Sequence, residues 1–263
     1  ITKEVNMKIA AATDVGFVRE NNEDAYWYNT ELQALGLADG MGGHSGGELA
    51  SLLAVHGFSM FCETTLTRCQ DKSALETSFS MVIPAINRMV TMAGNEIAYF
   101  SGMGTTFVGA VYQDGVLHLT HIGDSRAAYI STRDGSLTWL TRDDNYAEHL
   151  VQKGELTLQE ARKSRYRHHL TACIGGHRDY RDIVNIHYQQ LPWAEGDLLL
   201  LCSDGLLDGT DDQEIATSCL GGENMDLTAG CEHLIQLALS KGGRDNCTVV
   251  LASHENGGAD YDA

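Results

Sequence analysis

The 263-residue sequence predicts an α+β fold in which antiparallel sheets carry helices on their outer faces. Three observations lead there. Short apolar or alternating segments, bounded by turn residues, recur along the chain and read as strands. They come in hairpin-like groups rather than in strict strand–helix–strand alternation. Three further stretches carry helical apolar spacing.

The strand segments run in order as KIAAATD, AYWYN, ALGLAD, TFVGAVY, VLHLTHIG, RAAYIS, VNIHY, DLLLLCS and CTVVLAS. Asp114-Gly115 supplies the positive-φ pair that a tight hairpin turn requires, and Asp134-Gly135 marks a second hairpin. The first helix shows a stripe of Leu49, Leu52, Leu53, Met60 and Phe61, expected to face the core. The second runs through Leu75, Phe79, Val82, Ile83, Ile86, Met89 and Val90. Pro84 interrupts it, and an interior proline costs about 3 kcal/mol, so a kink or restart is expected there. The third carries Leu227, Leu234, Ile235 and Ala238 and stops at Gly242-Gly243. With no internal repeat and no linker-like stretch, one domain over residues 7–254 is expected, with 1–6 and 255–263 as terminal extensions. Met7 opens MKIAAATD and reads as a more natural start than Ile1.

Asp and Glu number 36 against 18 Lys and Arg, a formal charge of −18. That sign argues against nucleic acid and anionic membrane as partners. It is compatible with plain solubility or with carboxylates clustered for cations. Seven cysteines without a C-x-x-C, mostly inside apolar segments, suggest reduced thiols in a cytoplasmic protein rather than disulfides or a zinc site. No apolar run approaches the roughly 20 residues of a membrane span, and no signal peptide is visible.

Acidic residues recur beside glycine at strand ends: Asp39 in LADGMGG, Asp124 in HIGDSR, Asp204 in LLCSDG and Asp245 in GGRDNCTVV. NNED at 21–24 stands just before another strand. Asp39-Gly40 and Asp204-Gly205 are D-G pairs, and any one such pair alone reads more readily as a turn. If the strand ends converge, they wall a pocket with carboxylates that repel one another until cations or protons intervene. All-oxygen donors suit Mg²⁺ or Mn²⁺ rather than zinc. A pair of such ions can activate a water and bind a phosphate, and Arg19 in GFVRENNED stands close enough in sequence to grip that phosphate.

DVGFVRENNEDAYW, LADGMGGHSGGELAS, GTTFVGAV, HIGDSRAAYI, GDLLLLCSDGLLD and GGRDNCTVVL together resemble the metal-dependent serine/threonine protein phosphatases of the 2C (PPM) type, in their compact bacterial form. The resemblance covers Met7 to His254 in the family's order and spacing. It implies a four-layer αββα sandwich of two antiparallel sheets flanked by helices. It implies two Mn²⁺ or Mg²⁺ ions per chain and a third, weaker one. By position, Asp39 resembles the carboxylate bridging two metals, with the Gly40 carbonyl beside it. Asp204 and Asp245 resemble the other ligands of the first metal, and Glu23 the acidic neighbour of the second. Asp124 resembles the ligand of the third. Asp24, Asn246 and His44 resemble the supporting residues behind these ligands, His44 in a structural role. Arg19 resembles the phosphate-binding arginine. The implied reaction is in-line attack on phosphoserine or phosphothreonine by a water bridging the two ions, without a phosphoenzyme. The implied partners are phosphorylated proteins, with a cognate serine/threonine kinase and its substrates.

The chain departs from the family in three places. Met41 stands where some eukaryotic relatives have a histidine proposed as general acid. In the flap segment, about 141–180, Asp144 stands where relatives commonly have histidine and Ala172 where they commonly have arginine. The flap also holds a basic island, Arg162, Lys163, Arg165 and Arg167, which reads either as a solvated helix end or as an anchor for the acidic flanks of a phosphopeptide. A non-catalytic binding module would be marked by lost ligand positions, and none is lost. A nucleophilic-serine hydrolase is disfavoured because LCSDG lacks the first glycine of G-x-S-x-G, leaving Ser203 off that elbow.

Overall fold

The computed structural model describes residues 5–41, 46–66, 72–176, 186–220 and 226–256. Two antiparallel sheets form its centre. The first has five strands in the order β1 (Val5–Asp14), β12 (Cys247–Asn256), β11 (Leu198–Cys202), β7 (Arg126–Ile130) and β8 (Leu137–Trp139). The second has the order β10 (His187–Pro192), β6 (Val116–Ile122), β5 (Phe107–Gln113), β3 (Ala34–Met41), β4 (Gly104–Thr105) and β9 (Ile174–Gly175). β2 (Asp24–Asn29) also pairs with β3, placing Asp24 opposite Asp39.

Side-chain alternation builds the layers, because successive residues of a strand face opposite ways. In β11, Leu199 and Leu201 enter a core shared with Leu35, Leu37, Val108, Ala110, Leu117 and Leu119 of the other sheet. Leu198, Leu200 and Cys202 face a second core with α5 (Asp212–Leu220) and α6 (Leu227–Ser240). On the far side, Ala34, Ala38, Phe107 and Val111 pack against α1 (Gly46–Thr65) and α2 (Lys72–Glu96). The result is the expected αββα order. A strand buried on both faces explains why LLLLC shows no alternation of apolar and polar residues.

The face of α1 differs from expectation. Leu52 and Met60 are each 50% exposed, while Ala50, Ala54, Val55, Phe58 and Cys62 are buried. Leu49, Leu53 and Phe61 flank that buried strip. The helix docks close to the sheet, where the Phe58 and Phe107 rings fill the space that side chains at Gly36 and Gly109 would need. Close approach selects small residues over leucines for the contact, with Phe58 against Phe107 at a ring separation of 5.1 Å.

Nor does Pro84 divide α2, which runs as one 25-residue helix. Val82, Ile83 and Ile86 are buried around it, and this packing outweighs the local proline penalty. VNIHY begins outside the described residues, and its strand starts at His187.

The flap is built from two short capped helices. α3 (Tyr146–Gln152) is capped by Asn145, whose side chain accepts from Glu148 N–H. α4 (Leu158–Lys163) starts with a reciprocal Thr157–Glu160 capping box. A single turn, Arg165–His168, then leads back toward the sheet.

Candidate metal and phosphate site

The strand ends converge on one cleft of about 840 Å³, lined by Arg19, Glu23, Asp39, Gly40, Asp124, Asp204, Asp245 and Asn246 among others. Each ligand-type residue predicted from sequence is there. His44 lies outside the described residues. Asp24 sits behind the cleft, half-buried and paired opposite Asp39.

Backbone packing fixes the rim. β3 ends at Gly40–Met41, and Gly40 N–H donates to the Glu23 carbonyl at 3.0 Å. A Cβ on Gly40 would stand 2.1 Å from the Gly47 carbonyl oxygen, and one on Gly47 would stand 2.8 Å from the Glu23 carboxylate. Strand end, helix start and acidic loop therefore fit together only through glycines.

Hydroxyls lock the carboxylates from behind. Asp39 N–H donates to Thr106 Oγ1 at 3.0 Å, and Thr106 Oγ1 shares a 2.6 Å bond with Ser125 Oγ, next to Asp124. Thr105 Oγ1 donates to the Asp39 carbonyl at 2.8 Å. Asn246 uses its whole amide: its oxygen accepts from Glu23 N–H at 2.9 Å, and its nitrogen donates to the carbonyls of Val15 and Asn21. Ser203 Oγ donates to Asp24 Oδ2 at 2.8 Å and accepts from Thr248 N–H at 2.9 Å. Both functions of the Ser203 hydroxyl are structural, which removes it as a nucleophile. Thr105, Thr106, Ser125 and Thr248 were not singled out in the sequence, although all four lie inside the quoted GTTFVGAV, HIGDSR and GGRDNCTVVL segments, and Ser203 was weighed there only as a nucleophile.

The electrostatics are lopsided. Burial pushes the Asp39 carboxyl well above the usual range, and the neighbouring Asp24, Asp204, Asp124 and Asp245 push it the same way. Burial, with Asp204 next, does likewise to Asp124. Asp24 is pushed up to about 7, burial being the main cause. Its Oδ1 is buried without a hydrogen-bond partner. Glu23 and Asp245 are also raised by burial, with Arg19 opposing. Arg19 donates to Asp245 Oδ2 at 2.7 Å, so the residue assigned to phosphate and one assigned to metal hold each other.

All-oxygen donors, mutual repulsion and an orphaned buried oxygen together fit hard divalent cations. Among the described residues, no three His, Cys, Asp or Glu side chains close into a finished cage. The carboxylates ring an open cleft, and Asp245 is turned toward Arg19.

The flap contributes His168, which sequence reading missed. Its Nδ1 lies 3.5 Å from Asp204 Oδ2, and that contact raises its pKa. Ala172 lines the same wall. The basic island is largely committed elsewhere. Arg162 pairs with Asp212, Arg167 with Asp208, and Arg165 lies over the Tyr166 ring. These contacts favour a structural role over an anchor for acidic peptide flanks.

Fold and site together define an αββα sandwich with an acid-lined cleft suited to divalent cations. The chain belongs to the protein phosphatase 2C family, whose profile matches residues 18–224. Serine/threonine protein phosphatase PstP of Mycobacterium tuberculosis is 34% identical over 246 residues, covering 94% of this chain and 45% of the relative. The chain thus spans about half the length of that mycobacterial protein. Protein phosphatase PhpP of Streptococcus pneumoniae is 32% identical, with 94% of this chain and 97% of that one covered. The catalytic domain of PstP, solved in complex with two manganese ions, is 33% identical with a TM-score of 0.81, covering 96% of this chain and 100% of that one. The Streptococcus agalactiae serine/threonine phosphatase is 31% identical with a TM-score of 0.82, covering 94% and 99%.

Proposed function

We propose that this chain is a metal-dependent protein serine/threonine phosphatase acting on phosphoserine and phosphothreonine. The observation that carries the reading is the meeting of Glu23, Asp39, Gly40, Asp124, Asp204 and Asp245 with Arg19 in one cleft. The two-manganese relative supports assigning Mn²⁺ or Mg²⁺ to it.

Asp39, with the Gly40 carbonyl beside it, would serve two ions; Asp204 and Asp245 would complete the first, Glu23 would neighbour the second partly through water, and Asp124 would hold a third, weaker one. When bound, such ions would neutralise the carboxylates and would supply an activated water for in-line attack on phosphorus. Arg19 leaves Asp245 and turns its guanidinium N–H groups to the phosphoryl oxygens, fixing the ester for attack. Asp24 and Asn246 keep the acidic loop and strand end in place. Met41 cannot donate a proton to the leaving alkoxide, which takes it from solvent.

Phosphorylated proteins are the substrate class, with a cognate serine/threonine kinase as the opposing enzyme. Cys62, Cys202, Cys219, Cys231 and Cys247 are buried free thiols. Burial pushes the Cys202 thiol up to about 12. Inert reduced thiols support a cytoplasmic location. No helix among the described residues is long and apolar enough to cross a membrane. We take residues 7–254 as one catalytic domain. The reading predicts Mn²⁺-dependent phosphate release from a phosphothreonine peptide and from p-nitrophenyl phosphate. Full activity retained in Asp39→Asn or Asp204→Asn would refute the two-ion mechanism.

A further inference from the structure

The structure gives Asp144 an unusual set of contacts. It is buried at the start of the flap. Its Oδ2 accepts from Gly123 N–H at 3.0 Å, and its own N–H donates to the Gly123 carbonyl at 2.9 Å. Gly123 immediately precedes Asp124. The other carboxylate oxygen, Oδ1, lies 2.9 Å from His187 Nε2 on β10. The Asp144 carbonyl accepts from Thr171 N–H at 2.7 Å, on the flap segment that returns to the cleft at Ala172. The His187 ring stacks on His121 at 4.3 Å, and His121 Nε2 meets the Arg142 carbonyl at 3.1 Å.

We propose that Asp144 is a positioning residue for Asp124: braced by His187, it sets the Gly123–Asp124 turn and ties the returning flap to it. A carboxylate buried without a partner is costly, and His187 supplies that partner on β10. The Gly123 N–H needs an acceptor at this depth, and Asp144 is the acceptor it has. The inference rests on the reading of Asp124 as a metal ligand.

Mn²⁺ binding to the full chain tests it, followed by calorimetry and by electron paramagnetic resonance counting of bound ions. Asp144→Ala is expected to keep the two tighter ions and weaken the weakest by about 10–100-fold, the usual cost of losing an orienting partner. Asp144→Asn retains an acceptor for Gly123 N–H and is expected to restore most of that affinity. A merely structural role predicts loss of thermal stability with all ion affinities unchanged or equally reduced, and either result overturns the proposal. If Asp144→Ala does not fold, His187→Ala decides. It should weaken the same ion in the same direction, and an unchanged isotherm overturns the proposal. Wild-type protein lacking any weaker third ion also overturns it. Failure of the phosphatase reading shows separately, as wild-type protein that binds Mn²⁺ but leaves p-nitrophenyl phosphate intact.

Discussion

The cleft and the flap base both hold closely spaced acids, but they balance them differently. At the flap base, Asp143 takes two hydrogen bonds from Arg126, at 2.6 and 2.7 Å, Asp208 pairs with Arg167, and Asp212 with Arg162. In the cleft, Glu23, Asp39, Asp124, Asp204 and Asp245 gather around Arg19 and the half-exposed His168. Acids matched by arginines hold elements together. Acids left in excess await cations, and the excess, more than the acidity, distinguishes the site.

The sharpest way to break this comparison is to remove an excess acid. Asp39→Asn should lower Mn²⁺-dependent turnover of p-nitrophenyl phosphate by about 10²–10³-fold or more. The same change should raise the melting temperature of metal-free protein, because it removes one of several mutually repelling carboxyls crowded into the cleft. A variant losing both activity and metal-free stability would show that Asp39 is structural.

The pH dependence of stability sharpens it next. Asp39, Asp24 and Asp124 have folded pKa values above the unfolded value of about 4, with Asp24 at about 7. Between those limits the folded, metal-free chain binds more protons than the unfolded one. Asp24's contribution to stability is complete below about pH 4 and is lost as pH rises through 7, and Asp39 and Asp124 act in the same direction. Urea melts across that range in a chelator should show the cleft's part of the stability falling with pH. Saturating Mn²⁺ should flatten that slope, and an identical slope with and without metal would count against the cation reading.

Arg126→Ala probes the matched side. It strands Asp143, with side-chain exposures of 17% and 13% for the pair, and should cost about 3–5 kcal/mol in chemical denaturation. The smallest effect belongs to Arg162→Ala. Its pair with Asp212 is 46% and 43% exposed, and loss below about 1 kcal/mol is expected, shrinking further in high salt. A large effect there would mean that the flap is latched through this contact.

Much of the site was readable because its acids sit at the ends of recognisable strands beside glycines. The sheets were readable for the same reason, since strand segments and the Asp114-Gly115 turn are local signals. The packing face of α1 was not. Leu52 and Met60 look like core residues in a linear pattern, but the contact distance to β3 selects Ala50, Ala54 and Phe58. His168 was hidden because only the flap's return path brings it to Asp204. The commitment of Arg162 and Arg167 was equally hidden, since their partners lie about 50 and 41 positions away in the chain.

The glycine at 47 carries a warning for engineering. Alanine is ordinarily the better helix former by about 1 kcal/mol, so Gly47→Ala would attract anyone seeking a hardier protein. Here the added methyl would land 2.8 Å from a carboxylate oxygen of Glu23 and 2.9 Å from the Gly40 carbonyl carbon. A routine thermostabilising change would thus behave as an inhibitor built into the chain, displacing the acidic loop while improving the helix that does the displacing.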